Sequence, residues 1–147
     1  MKISNDAQTV IVKKAGDDFS FFVIKRFDKD KQEDHYRLIK GGIKKNENSK
    51  ETIIREVAEE AGINDVQKIE FFCRYGYTAG DVRHEVDVFL IYVDQNLDAK
   101  IDSSEEGGFI IKDAIWMNSE EAIEKLNFKE EKNLIIAAIE KLKFSIK

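Results

Sequence analysis

At Asn48 the hydrophobic period of the chain switches from two residues to 3.6 and returns to two after Gly62. Ile54, Val57, Ala58 and Ala61 stand at i, i+3, i+4 and i+7, the spacing of one apolar helix face. Asn48 followed three residues later by Glu51 forms a capping box, and Gly62 supplies a left-handed stop, so a helix is expected over about 48–61. Upstream, Gln8 to Lys14 and Phe19 to Phe27 are β-branched or aromatic and flank Ala15-Gly16-Asp17-Asp18, which predicts a β-hairpin. The all-polar segment Asp28 to Asp34 reads as a loop, and a short strand from His35 to Lys40 ends at Gly41-Gly42. Downstream, Val66 to Ala79 and Val82 to Val93 meet at Gly80-Asp81 as a second hairpin. In its second arm Val86, Val88, Leu90 and Tyr92 alternate with Arg83, Glu85, Asp87, Phe89 and Ile91, which predicts one buried face. Asp94 to Glu106 reads as a loop and Gly108 to Trp116 as a strand. Ser119 is expected to cap a short helix to about Leu126, and Lys129 to Lys143 carries Leu134, Ile135, Ala138, Ile139 and Leu142 on one side of another. Strands on both sides of an amphipathic helix give an α/β chain, and the absence of a repeat or linker makes residues 1–147 one expected domain.

Composition removes several classes. Cys73 is the only cysteine, so neither an internal disulfide nor a Cys-rich zinc site is available, which fits a reducing compartment and a cytoplasmic location. No run approaches the roughly 20 apolar residues of a membrane span, and the first residues lack the apolar core of a secretory signal. A formal net charge of −5 argues against general nucleic-acid binding, which needs an excess of cations to displace phosphate counterions. Oligomeric state is not legible.

The expected helix has a second face on which Glu56, Glu59 and Glu60 stand at i, i+3 and i+4. Like charges at that spacing repel by a few tenths of a kcal/mol, so the cluster calls for a compensating cation. An acidic helix face is ordinarily just solvated, but oxygen-only donors on a rigid element suit Mg²⁺ or Mn²⁺ better than zinc. The flanking sequence adds a pattern. Gly41 is followed after five residues by Glu47, and Glu47 after seven by Arg55-Glu56-Val57-Ala58-Glu59-Glu60-Ala61-Gly62-Ile63. With this chain's composition the seven fixed residues would align by chance about once in 10⁷ to 10⁸ start positions.

That spacing is G-x5-E-x7-R-E-U-x-E-E-x-G-U, where U is aliphatic, and the chain resembles the Nudix hydrolases along nearly its whole length. The resemblance implies an α/β/α sandwich with a mixed central sheet, the helix of about 48–61 on one side and the C-terminal helices on the other. It also implies divalent-metal-dependent hydrolysis of a nucleoside diphosphate linked to another group. By motif position Glu59 and Glu60 would be metal ligands, Glu56 a ligand or the base, and the backbone carbonyl of Lys40 a further ligand. Arg55 would pair with Glu47 and tie loop to helix. The family also recruits an acid from a later loop, for which Glu105 and Glu106 are the candidates and Glu85 and Asp87 the alternates.

The attached group is less constrained. Tyr36-Arg37-Leu38-Ile39-Lys40-Gly41-Gly42 is similar to the aromatic-x-L-P-K-G-G run of dinucleoside polyphosphate and diphosphoinositol polyphosphate hydrolases, with Ile39 where those enzymes commonly carry proline. Tyr75-Gly76-Tyr77 and the segment Trp116 to Phe128 are similar to diadenosine tetraphosphate hydrolases. The small-molecule substrate would then meet Tyr75 and Tyr77 through its base and Lys40, Lys44 and Lys45 through its outlying phosphates, with Tyr36 a further substrate contact. Trp116 and Phe128 are expected in the core, and His35 and His84 are assigned no role. The leading expectation is Mg²⁺-dependent cleavage of diadenosine tetraphosphate to AMP and ATP. Diphosphoinositol polyphosphates, nucleotide sugars, oxidised nucleoside triphosphates and a nucleotide-sensing module without turnover are the alternatives.

Overall fold

The computed structural model describes residues 1–98, 104–106 and 108–145, with 104–106 and 145 through their backbone alone. The β-branched and aromatic runs form long strands: β1 (Lys2–Ala15), β2 (Asp18–Asp28), β5 (Lys68–Ala79) and β6 (Val82–Tyr92). Shorter strands are β3 (Glu33–Arg37), β4 (Lys40–Gly42), β7 (Ser104–Glu106) and β8 (Phe109–Met117), and the helices are α1 (Ser49–Ala61), α2 (Ser119–Lys125) and α3 (Lys129–Ser145). Among the described residues the strands make one sheet in the order β5-β6-β1-β2-β8-β7, with β3 on β2 and β4 on β1. β1 and β6 run parallel while the other pairings are antiparallel, so the sheet is mixed.

Strand alternation sorts the core into two layers. Val10, Val12, Phe21, Val23, Val86, Val88 and Leu90 face α2 and α3, meeting Ala122, Leu134, Ile135, Ala138 and Leu142. Ala7, Ile11, Phe22, Ile24, Phe89 and Ile91 face the other way and meet Ile53, Val57 and Ala61 of α1. The architecture is α/β/α.

Four local expectations change. β6 lies between the two core layers, with Val88 and Leu90 in the α2 and α3 layer and Phe89 and Ile91 in the α1 layer, so both of its faces are buried there and not one. The apolar face of α1 is built from Thr52, Ile53, Val57 and Ala61, whereas Ile54 is 49% exposed and lies off it. The cap of α2 is Asn118, whose side chain accepts from Glu121 N at 2.9 Å, and Ser119 is already helical. Of the segment expected as a loop, 104–106 pairs with β8 as β7, and 99–103 lies outside the described residues.

The ends of α1 follow the expected chemistry. Asn48 Oδ1 accepts from Glu51 N at 2.8 Å while Glu51 Oε1 accepts from Asn48 N at 3.0 Å, a reciprocal capping box. Gly62, at φ 65°, turns the chain and donates its N–H to Ala58 O. Asn48→Ala should therefore lower unfolding free energy by about 1 kcal/mol, read from urea denaturation, and Asn48→Asp should recover most of it. A loss near zero in the alanine variant would mean that tertiary packing alone holds this end.

Candidate functional site

The β4 backbone bonds to β1 in the register Asp6↔Gly42, Ala7↔Gly41 and Gln8↔Lys40, which lays the glycine pair beside the inner flank of α1. Gly41 is needed there because of close approach, not because of its dihedrals. A carbon added at its Cα would sit 2.5 Å from both Cδ and Oε1 of Glu56. Glu56 and Glu60 line one cavity of about 230 Å³ together with Lys40, Gly41, Gly42 and Arg26. Glu59 is one turn round, exposed, with Arg55 Nη1 3.4 Å from its Oε2.

Arg55 is the hub of this end. Its Nη1 donates to Glu56 Oε1 at 2.7 Å, and its Nη2 and Nε donate to Glu47 at 2.7 and 3.2 Å. Glu47 Oε1 also accepts from Thr52 Oγ1 at 2.8 Å and from Lys44 N at 2.9 Å. The loop before α1 is thereby stitched to the helix, and Arg55, first among these partners, holds the Glu47 carboxyl far below its usual range, at about 2.

Lys40 lines this cavity and the neighbouring one. Its Nζ donates to Tyr77 Oη at 2.5 Å and lies 3.3 Å from Asp6 Oδ2. Burial pushes the Asp6 carboxyl up, but the bonds with His84 at 2.7 Å and Lys40 outweigh it, and the net movement is downward. Tyr77 stacks on His84, its cross-strand partner, at 4.6 Å and 5°, and Tyr75 lies 6.2 Å away on the other side. Burial, first of all, raises the Tyr75 phenol well above the ordinary range, so it remains a donor, and its Oη donates a hydrogen bond to Gln8 Oε1 at 2.5 Å.

The second cavity, about 390 Å³, is lined by Tyr75, Tyr77, Thr78, Phe128, Glu130 and Glu131, with Arg26, Arg37 and Lys40. Arg26 and Lys40 line both, so the two cavities adjoin as the two parts of a cleft, one beside α1 and the other beside α3. Phe128, expected in the core, stands in its wall with the Arg37 guanidinium 4.2 Å over its ring. Trp116 packs edge-on to Phe22 at 5.4 Å on the α1 face, beneath Lys13.

Other expected residues lie elsewhere. Lys44 and Lys45 are exposed on the loop before α1, and Tyr36 sits between the ammonium groups of Lys25 and Lys125. Glu85 and Asp87 bond Arg83 and Arg74 and face a third cavity, beside Glu47 and Asn48. Glu105 and Glu106 fall on β7, whose side chains lie outside the described residues.

Arg26, Arg37, Gln8, Asp6 and Glu131 were not singled out from the sequence. Their signal is a polar residue set in an apolar pattern. Asp6 and Gln8 open the buried run of β1, and Glu131 shares the helical stripe of Leu134, Ile135 and Ala138.

The donors fit a hard divalent cation, because the α1 end of the cleft offers carboxylates and a closely approaching glycine backbone and neither sulfur nor imidazole. Among the described residues no three acidic, histidine or cysteine side chains converge to enclose an ion.

Comparison with known proteins agrees with this architecture. A family model described as NUDIX domain matches residues 5–139. No curated protein matches the chain. Among solved structures, a Caenorhabditis elegans Ap4A hydrolase binary complex superposes with a TM-score of 0.77 at 21% identity, over 95% of this chain and 98% of that one. The NUDIX domain of Shewanella oneidensis NrtR complexed with ADP ribose gives 0.75 at 15%, over 97% and 90%. A MutT protein from Methanosarcina mazei gives 0.72 at 16%, over 97% and 96%. At these identities the superpositions speak to fold alone.

Proposed function

Since the chain belongs to the NUDIX family of hydrolases, whose members generally use divalent cations, we propose that it is a Mg²⁺-dependent hydrolase of nucleoside polyphosphates, with diadenosine tetraphosphate the leading substrate. The observation that carries this reading is the pair of adjoining cavities, with carboxylates and a glycine loop in one and aromatic rings among cations in the other. A nucleoside polyphosphate has the matching polarity, a charged chain leading to a flat base.

In this reading Glu56, Glu59, Glu60 and the Lys40 carbonyl hold the cation. The cation supplies charge neutralisation of the diphosphate and hydroxide near neutral pH. Glu56, or an acid of β7 (Glu105 or Glu106), takes the proton of the attacking water. Arg55 keeps Glu56 and Glu47 in place, so that loop and helix present one rigid wall. Lys40 adds positive charge beside the phosphates, while Tyr75, Tyr77 and Phe128 offer ring surface for the base. Lys44 and Lys45, at the rim, would meet only an outlying phosphate. The whole chain works as one domain in the cytoplasm, on a small molecule and not on nucleic acid.

A substrate panel tests this reading. The purified chain is assayed with Mg²⁺ and Mn²⁺ against diadenosine tetraphosphate, a nucleotide sugar, ADP-ribose, oxidised nucleoside triphosphates and an inositol pyrophosphate, with products resolved by anion-exchange chromatography. AMP and ATP in equal amounts from the tetraphosphate, at the highest kcat/KM of the panel, are expected. Preference for another member would overturn the substrate assignment, and binding without turnover of any of them would favour a sensing module.

A further inference from the structure

Arg26 and Arg37 meet at the neck of the cleft. They lie on paired strands, in the register Ile24↔Arg37 and Arg26↔His35, and both line the α3-side cavity, which Arg26 joins to the α1 side. Each guanidinium has an aromatic floor: Arg26 Cζ is 3.8 Å from the Phe109 ring centroid and Arg37 Cζ 4.2 Å from that of Phe128. Two like charges so placed, partly withdrawn from water, need anions.

Arg37 has one within the protein. Glu131 of α3 is 1% exposed and accepts from Arg37 Nε at 3.0 and 3.1 Å and from Nη2 at 2.8 Å. It also accepts from Leu38 N at 3.1 Å and Gln8 Nε2 at 2.7 Å, and Gln8 is fixed in turn by Tyr75. These bonds use up the acceptor capacity of the carboxylate and leave Nη1 as the Arg37 donor available to a ligand. Lys40 is likewise answered by Asp6. Arg26 has no such bond at its Nε, which is buried with no hydrogen-bond partner, and Glu131, Glu60 and Asp28 act on its guanidinium through their charge. Burial first, then the charge of Arg37, weakens its hold on its proton, pulling it down to about 10, yet it stays cationic at neutral pH.

We propose that Arg26 and Arg37, the latter positioned by Glu131, form a two-guanidinium clamp for a phosphoryl group lying beyond the diphosphate at the carboxylates, so that the cleft selects chains of three or more phosphates. This rests on the polyphosphate reading above. The planar fork of arginine matches phosphate oxygens, and a further phosphoryl group would supply the hydrogen-bonded anion that the Arg26 Nε lacks. A sugar-linked diphosphate would present neutral hydroxyls where a further phosphoryl group would lie. Glu131 touches no substrate in this arrangement and acts through Arg37.

The test uses the full chain with Arg26→Gln, Arg37→Gln, Arg37→Lys and Glu131→Gln. Because Arg37→Gln leaves Glu131 buried without its cation, Arg37→Lys, which keeps the charge and loses the fork, keeps the experiment readable if the first variant fails to fold. Calorimetric titration with inorganic tripolyphosphate and with pyrophosphate, no metal added, gives a readout independent of turnover. Tripolyphosphate should bind the wild type more tightly than pyrophosphate. Arg26→Gln and Arg37→Lys should each weaken tripolyphosphate about tenfold, and Glu131→Gln should weaken it less. In steady-state assays the ratio of kcat/KM for diadenosine tetraphosphate to that for ADP-ribose should fall about tenfold in the two arginine variants, mainly through KM. No preference for tripolyphosphate, or unchanged binding in both arginine variants, would overturn the clamp. Turnover of polyphosphates with unchanged variants would remove the clamp and leave the hydrolase, whereas arginine-dependent tripolyphosphate binding without turnover of any substrate would remove the hydrolase and leave the clamp.

Discussion

Glu60→Gln should lower kcat by about 10³-fold while the protein still folds. The substitution changes almost no volume and removes one negative charge from the α1 end of the cleft, where Glu60 shares a cavity with Glu56, Gly41 and Gly42. A hard cation discriminates strongly between a carboxylate and a neutral amide, and the electrostatic loss is large because the group is only partly solvated. Stability should move little, since the exchange is isosteric and α1 stays anchored by Ile53, Val57 and Ala61, all at most 1% exposed, which lie on the same side of the helix and are left unchanged. Glu60 is a cleaner probe than Glu56, whose bond from Arg55 at 2.7 Å makes any change there also a change in the loop tie. Steady-state kinetics with saturating Mg²⁺ and a thermal melt check both halves. A kcat within a few-fold of wild type would sink the assignment of this glutamate to the metal.

Gly41→Ala should cost about 10²-fold in kcat/KM. The backbone at Gly41 is not left-handed, so alanine is permitted by its dihedrals. The obstacle is the Glu56 carboxyl, 2.5 Å from the added carbon, on a side chain only 6% exposed and bonded to Arg55. Either the carboxyl rotates away from Arg55 or the β4 backbone lifts from α1. Each outcome shifts a donor of the proposed metal site by about an ångström, the scale of misplacement that costs two orders of magnitude. Gly42→Ala, whose added carbon meets nothing within 4 Å, should lose much less. Equal kcat/KM values for the two variants would show that the close packing of loop on Glu56 is not what the reaction needs.

How much of this was legible in the chain differs from element to element. α1 was readable because its signals are local: a capping pair three residues apart, a glycine stop and a 3.6-residue period all lie within fifteen residues. Its inward face was read one residue off, with Ile54 for Ile53, because the neighbouring isoleucines satisfy the same period and only the sheet decides which one is covered. The hairpins at Gly16 and Gly80 were equally local, and both glycines have positive φ. The burial of both faces of β6 was not readable, because it depends on α1 covering one side of the sheet and α2 and α3 the other.

The candidate site divides along the same line. Glu47, Arg55, Glu56, Glu59 and Glu60 are joined by covalent spacing along one loop and one helix, so the sequence by itself determined the acidic end of the cleft and the hydrolytic chemistry it implies. The other end exists only after folding. Arg37 meets Glu131 across 94 residues, Gln8 meets Glu131 across 123, and Lys40 meets Tyr77 across 37. No periodicity encodes such distances, because each contact is set by which strands pair and which helix covers them. Only the tertiary structure decided that a buried glutamate of α3 holds one arginine of the neck while its neighbour keeps a donor with no partner.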